Sequence, residues 1–528
     1  MRKTLCALPL AALIPGLALA ETPASALVMA YNIDAISTFD PAQVAEVVTD
    51  EILMNTCDAL VDFDPEDEAN FLPSLAESWD VSEDGLTVTF HLKDGIVYPD
   101  GTPGSAGDLV WGMQRVLGLG YGNAAQLTDF GFTKDNAADR ITAPDDSTVV
   151  LTLDRPYPLN LVMGSVAANR VSVMLNRAEI EANAKGDDMG NAYLANRTAC
   201  VGPYTLARWN AGEVVMLEAS ENYNGPAPKL SRVMIRHVAE PGTQRLMLEQ
   251  GDIDVARNLN PDDLTAVEGT EGLRVERALK PSLFYMAMNN AMPPFDNPKV
   301  RLAMRYLIDY QGMENTVMKG IGVPRASFVQ LGAFGALDKD EGQPFRLDID
   351  KAKALLTEAG YPDGFTVPLI LGSHPYADPI AQTIQEAASK VGITFKIERM
   401  ANSQLFAKTR ARDFQAAMLG FKTSVPDAHG MASRHVANPD NTAEAGLGQY
   451  PSWRSGYYDA DMNARIDAAL FERDPAKRAE MYHQLQRDVM QEGPQAYIMQ
   501  TSEAAAVTDA LTTWSWNGFR TYYDAAAK

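Results

Sequence analysis

The chain is 528 residues long, 46% hydrophobic and 22% charged, with a formal net charge of -24 and a mean hydropathy of -0.18. A single hydrophobic core stops growing near roughly 250–300 residues, so two large units or more are expected. The acidic balance excludes nucleic acid and anionic lipid surfaces as partners, because both are bound mainly through Lys and Arg.

Residues 1–20 read as a secretory leader. Arg2 and Lys3 supply the positive start, Leu5 to Leu19 the apolar run, and Ala18, Leu19 and Ala20 a small-x-small cleavage site before Glu21. A membrane-spanning helix would need about 20 consecutive apolar residues, and Pro15-Gly16 interrupts this run. Lipid attachment would need a cysteine directly after the cleavage site. Cys6 lies inside the leader and position 21 is Glu, so the mature protein is expected free in its compartment.

Two cysteines remain, Cys57 and Cys200. Without a CxxC or a neighbouring His they do not read as a metal or catalytic pair; they are either bridged, as an oxidising compartment allows, or two buried thiols.

The apolar, β-branched run 27–33 predicts a strand, and the stretch 43–57 a helix after Thr38-Phe39-Asp40-Pro41. Period-two alternation at 78–81 and 87–92 around Ser82-Glu83-Asp84-Gly85 predicts a hairpin. A helix over 108–117, a strand over 148–153 and a strand pair from Gly202-Pro203-Tyr204 to Tyr223-Asn224-Gly225 follow. The second half changes character. A strand at 283–289 and helices at 298–309 and 350–359 lead into alternating strands (366–371, 394–399, 416–419) and helices (377–391, 403–412), then helices at 459–471 and 475–491. Such alternation favours an α/β fold with helices on both faces of a sheet. No repeat, heptad run or low-complexity linker appears, so the units should be joined by short crossovers, as in a hinged clamshell.

Three stretches carry a resemblance. The first is Leu75-Ala-Glu-Ser-Trp79-Asp-Val-Ser-Glu-Asp84-Gly85 through Gly95, with Pro99-Asp100-Gly101-Thr102-Pro103 and Ala106-Gly107-Asp108-Leu109. The second is Gly202-Pro203-Tyr204, Trp209, Asn222-Tyr223-Asn224-Gly225 and Leu248 to Val255. The third joins Met288-Asn289, Pro293-Pro294-Phe295-Asp296 and Val300-Arg301 to Ala359-Gly360-Tyr361-Pro362-Asp363-Gly364-Phe365. On these the chain resembles the bacterial extracytoplasmic solute-binding proteins of family 5, which serve ABC importers of oligopeptides, dipeptides, opines and nickel.

The resemblance implies a two-lobed, periplasmic-binding-protein-like α/β fold of the class II type. Lobe I would comprise 21–275 plus 506–528, with an extra subdomain at 61–195, and lobe II 276–505. It implies a periplasmic, monomeric, non-catalytic protein without cofactor or bound metal that captures a peptide or peptide-like solute by hinge closure and delivers it to a membrane permease. In peptide-binding members the ligand backbone adds like a strand to the loop after the first strand, here Asn32 and Ile33. An Asp in the loop 420–429 meets the ligand amine. Ser424 stands at that place and Asp427 three residues later, so either Asp427 takes the role or the ligand presents no amine there. The Arg that holds a dipeptide carboxylate is absent from Gly372-Ser373-His374-Pro375-Tyr376, leaving His374 as a polar candidate. Phe421, Tyr285 and Asn289 are further pocket candidates, Trp453, Trp514 and Trp516 wall or core residues, and the segment 434–441 a cap. An opine, a sugar conjugate or a metal chelate is the alternative ligand. A secreted hydrolase is the rival from another class, but no HExxH, GxSxG or Cys-His motif is present.

Overall fold

The computed structural model describes residues 22–67, 70–372, 374, 376–423 and 425–528; the expected leader and Ser424 lie outside them. The strands of the first half are β1 (Ala26–Tyr31), β2 (Val61–Phe63), β3 (Phe71–Pro73), β4 (Ala76–Val81), β5 (Thr87–Leu92), β6 (Ile141–Asp145), β7 (Thr148–Thr152), β8 (Tyr204–Asn210), β9 (Val214–Ala219), β10 (Arg232–His237) and β11 (Val255–Ala256). Those of the second half are β12 (Leu273–Met288), β13 (Gly322–Pro324), β14 (Thr366–Leu371), β15 (Thr394–Arg399), β16 (Ala416–Lys422), β17 (Gln495–Thr508), β18 (Thr513–Trp516) and β19 (Thr521–Ala527).

One eleven-stranded sheet runs through the molecule in the order β15-β14-β16-β12-β17-β11-β1-β10-β9-β8, with β13 also on β17. All six residues of β1 are buried, because parallel neighbours β10 and β11 flank it and packed elements cover both faces. In β12 the period of two sends Phe284, Met286 and Met288 into one core and Leu283, Tyr285 and Ala287 into another on the opposite face.

Among the described residues the two halves of this sheet are joined by β12 and β17 alone. β16 pairs with β12 only from Ser282 to Met288, and β11 pairs with β17 only at Ala506 and Val507. Between them Glu276 to Leu279 face Ala505 to Ser502 as a two-stranded ribbon, with a register shift between Leu279 and Leu283 around Pro281.

A separate four-stranded sheet, β4-β5-β7-β6, buries alternate residues of β5 against the helix Ala106–Leu119. That helix begins with a capping box between Ser105 and Asp108 and ends on Gly120 in the left-handed conformation. Its Arg115 is fully buried and forms two bonds to Asp40, at 2.8 and 2.6 Å. Cys57 and Cys200 form a disulfide between residues 143 apart. Among the described residues no helix is long and apolar enough to cross a membrane.

Removing one partner of a buried pair strands the other charge. Arg115→Ala is expected to lower the free energy of unfolding by about 3–5 kcal/mol, measured by urea denaturation against the parent.

Candidate functional site

The end of β16 and the loop after it face the segment 129–165 across an open cleft of about 290 Å³. Phe130, Tyr157 and Leu161 line one side, and Phe421, Val425, Tyr450 and Leu470 the other. The polar lining is Asp129, Arg155, Ser165, Lys422, Thr423, His429, Ser433 and Arg434. Arg434 reaches across to Asp129 at 2.8 Å, and Arg473 donates to the carbonyl of Asp84 at 3.0 Å. Tyr157 packs on Phe130 at 4.9 Å and on Phe471 at 5.8 Å between ring centroids. It also lines a second, more apolar cavity of about 340 Å³ with Pro156, Pro158, Leu159, Phe334 and Phe471.

Two histidines support the Phe421 side. His435 is fully buried beneath the Phe421 ring at 4.7 Å, beside Gln495 at 3.2 Å and the Tyr497 hydroxyl at 3.1 Å. Burial pushes its pKa down to about 3. His429 meets the Tyr482 hydroxyl at 3.0 Å, and burial takes it down to about 4. Both are therefore neutral at neutral pH.

Lys422 is the last residue of β16, and its side chain is exposed into the cleft. The cleft walls still desolvate it enough to lower its pKa.

The structure places the residues singled out from the sequence as follows. Asp427 is only 1% exposed and is held by Arg478 through two bonds of 2.7 and 2.8 Å. Its carboxylate also caps the helix Ala428–His435 by accepting from the amide of His429, so its charge is already neutralised and is not presented to a ligand amine. Asn32 and Ile33 offer no free edge of amides, since Asn32 N–H donates to the Asn258 side chain at 2.7 Å and Ile33 N–H to His237 Nδ1 at 3.3 Å. The Ile33 carbonyl accepts from Ile36.

Asn289 is buried, and its amide holds the carbonyls of Arg412 and Phe414. Tyr285 is core, packed on His435 and Tyr497. His374 stacks on Tyr376 and meets Phe284 edge-on, away from the cleft lining. Trp453 is core as well, its indole N–H donating to the Thr442 carbonyl. Trp514 and Trp516 are partly buried around Arg257. Of the sequence candidates among the described residues, Phe421 lines the cleft, as does Arg434 from the expected cap segment.

Asp129, Arg155 and Tyr157 were missed. They come from a stretch some hundreds of residues away in sequence, and no local pattern marks them. Among the described residues no group of three or more His, Cys, Asp or Glu is placed to hold a metal.

At the crossover ribbon, Glu503 pairs with Arg257 at 2.7 Å and Lys280 at 2.8 Å. Arg257, fully buried, also holds Glu51. Burial pushes the Glu503 carboxyl up, but Arg257 and Lys280 outweigh it and hold it near 2.

Comparison with known proteins places these features. Residues 70–443 match the family model for bacterial extracellular solute-binding proteins, family 5 Middle. The chain is 29% identical over 520 residues to the probable D,D-dipeptide-binding periplasmic protein DdpA of Escherichia coli, covering 98% of this chain and 96% of that one. It is 28% identical over 473 residues to the glutathione-binding protein GsiB of Escherichia coli, covering 87% and 86%. The ABC transporter substrate-binding protein CtaP of Listeria monocytogenes superposes with a TM-score of 0.80 at 21% identity, over 95% of this chain and 98% of that one, which shows a shared fold.

Two outcomes follow from the ion pairs. Asp427→Asn leaves Arg478 buried without its counter-charge and is expected to cost about 3 kcal/mol of stability in denaturant melts. A carboxyl held below its ordinary 4.5 stabilises the fold above that value and stops doing so as pH falls toward about 2. Thermal melts from pH 5 down to about 2 should therefore fall less steeply for Glu503→Gln than for the parent, and equal slopes would remove Glu503 from acid unfolding.

Proposed function

Because the chain belongs to the bacterial extracellular solute-binding proteins of family 5, we propose that its cleft captures a peptide or peptide-like solute and delivers it to an ABC permease in the membrane. The observation that carries this reading is the cleft itself. It is walled from both sides by aromatic and aliphatic side chains with polar and charged groups in about equal share among them, a concave site whose polar groups can orient a small solute. The relatives named for a D,D-dipeptide and for glutathione favour a short peptide over an opine or a chelate.

In this reading lobe I comprises 21–275 and 506–528, lobe II 276–505, and 61–195 is the extra subdomain. Val275 faces Ala506 and Glu276 faces Ala505 in the ribbon, so both proposed boundaries fall at one level of the crossover. Bending there would open and close the cleft. The protein works as a monomer without catalysis, released to the periplasm by cleavage before Glu21 and without a lipid anchor. Glu21 at that place and the apolar run 5–19 support this.

Native mass spectrometry of the mature protein, mixed with a pool of di- to tetrapeptides, should retain one peptide per chain, with a smaller radius of gyration in solution scattering when loaded. A protein that retains none and carries a non-peptide solute from its own compartment would transfer the role to that solute.

A further inference from the structure

Lys422 is a cation without a partner. Among the described residues no carboxylate or hydrogen-bond acceptor meets its Nζ, although it lies in a lined cleft. The acids on its side of the molecule are committed elsewhere. Asp50 is held by Arg170 at 2.7 Å, Glu503 by Arg257 and Lys280, and Glu51 by Arg257 and the Tyr523 hydroxyl.

The rest of the cleft does not supply a counter-charge either. Of the other two cations lining it, Arg434 is paired with Asp129, the one carboxylate among the lining residues. Arg155 lies over the rings of Phe471 and Tyr157, at 4.9 and 5.6 Å. Asp427 is pinned by Arg478, and both nearby histidines are neutral. The cleft thus offers an ammonium and no uncommitted acid, the reverse of what a ligand amine needs.

We propose that the site selects its solute by a carboxylate, bound to the Lys422 ammonium while the apolar body of the solute lies against Phe130, Tyr157 and Tyr450, and that a free ligand amine is not required. The inference rests on the reading of this cleft as the ligand site. It narrows the solute class to carboxylates with an apolar or aromatic body, N-blocked peptides included. A lysine is a point charge with rotatable donors, so it fixes the anion without demanding the planar geometry that a bidentate arginine would impose. Partial desolvation of Lys422 in the unloaded cleft adds to the gain when an anion arrives, since the charge regains the stabilisation that the walls removed.

Isothermal titration of the mature protein at neutral pH, with four probes, tests this. They are N-acetyl-Phe-Leu, its C-terminal amide, Phe-Leu amide with a free amine, and phenylpropionate. The acid is expected to bind, and its amide to bind about tenfold to a hundredfold more weakly, the scale of one charge-assisted bond. Lys422→Met should erase the difference between acid and amide with the melting temperature unchanged, and Lys422→Arg should retain most of it. If the free-amine amide binds as well as the acid, or Lys422→Met leaves the preference intact, carboxylate selection is wrong and peptide capture stands. If phenylpropionate binds through Lys422 and no peptide does, carboxylate selection stands and peptide capture falls. Binding of none of the probes overturns both.

Discussion

The architecture depends on one ribbon of paired backbone. β12 and β17 hydrogen-bond to each other from Leu273 and Thr508 to Ala287 and Gln495, and through them a single sheet serves cores that otherwise belong to different halves of the molecule. From Glu276 opposite Ala505 to Ala278 opposite Glu503, neither strand pairs with a third among the described residues. Local stiffness there comes from charge, because Glu503 on β17 binds Lys280 on β12 and the buried Arg257, which is itself tied to Glu51. Tyr31 and Trp516 lie against the same guanidinium, at 4.7 and 5.2 Å. A ribbon two strands wide bends more readily than a sheet, and the ionic cluster ties its two strands to each other and to the buried Arg257 beside them.

The same economy of charge shapes the cleft. A chain carrying a net charge of -24 has no shortage of carboxylates, yet those near the cleft are spent on structure. Asp427 shows why. Its position at the start of the helix Ala428–His435 lets one carboxylate accept from a backbone amide and neutralise Arg478 at once, so the residue builds the wall rather than facing the solute. Burial of His429 and His435 completes the effect by keeping both uncharged.

Much of the fold was legible because local physics dictates it. The strands Thr366–Leu371 and Thr394–Arg399 have the bounds read from their apolar and alternating patterns, and Asp84-Gly85 turns the hairpin of β4 and β5, with Gly85 at φ 76°. The crossover was not legible. Only 283–289 read as strand, whereas β12 begins at Leu273, since Lys280-Pro281 breaks the pattern that pairing with β17 overrides. β17 itself was missed; its Ala504-Ala505-Ala506 segment has weak strand preference and is held by pairing with β12, with β11 joining only at Ala506. The loop 420–429, singled out by resemblance, lines the cleft through Phe421, Lys422, Thr423, Val425 and His429, whereas Asp427, the carboxylate offered as an alternative to Ser424, turns away from it. Which side chain of a loop faces a cleft depends on tertiary partners, here Arg478, 51 residues away.

The polar contacts that span the cleft contribute little, and apolar packing of Val425 and Leu470 with Phe130 and Leu161 is the larger contact between its sides. Arg434 and Asp129 are 23% and 52% exposed, and a solvent-exposed pair of this kind contributes about 0–1 kcal/mol. The Arg473 bond reaches only a backbone carbonyl, and the Tyr157–Phe471 contact is a tilted edge between rings. A solute shifts the balance between open and closed forms only by what it binds better in one than the other. A solute that touches both walls of the cleft therefore favours the closed form by the contacts it makes only there.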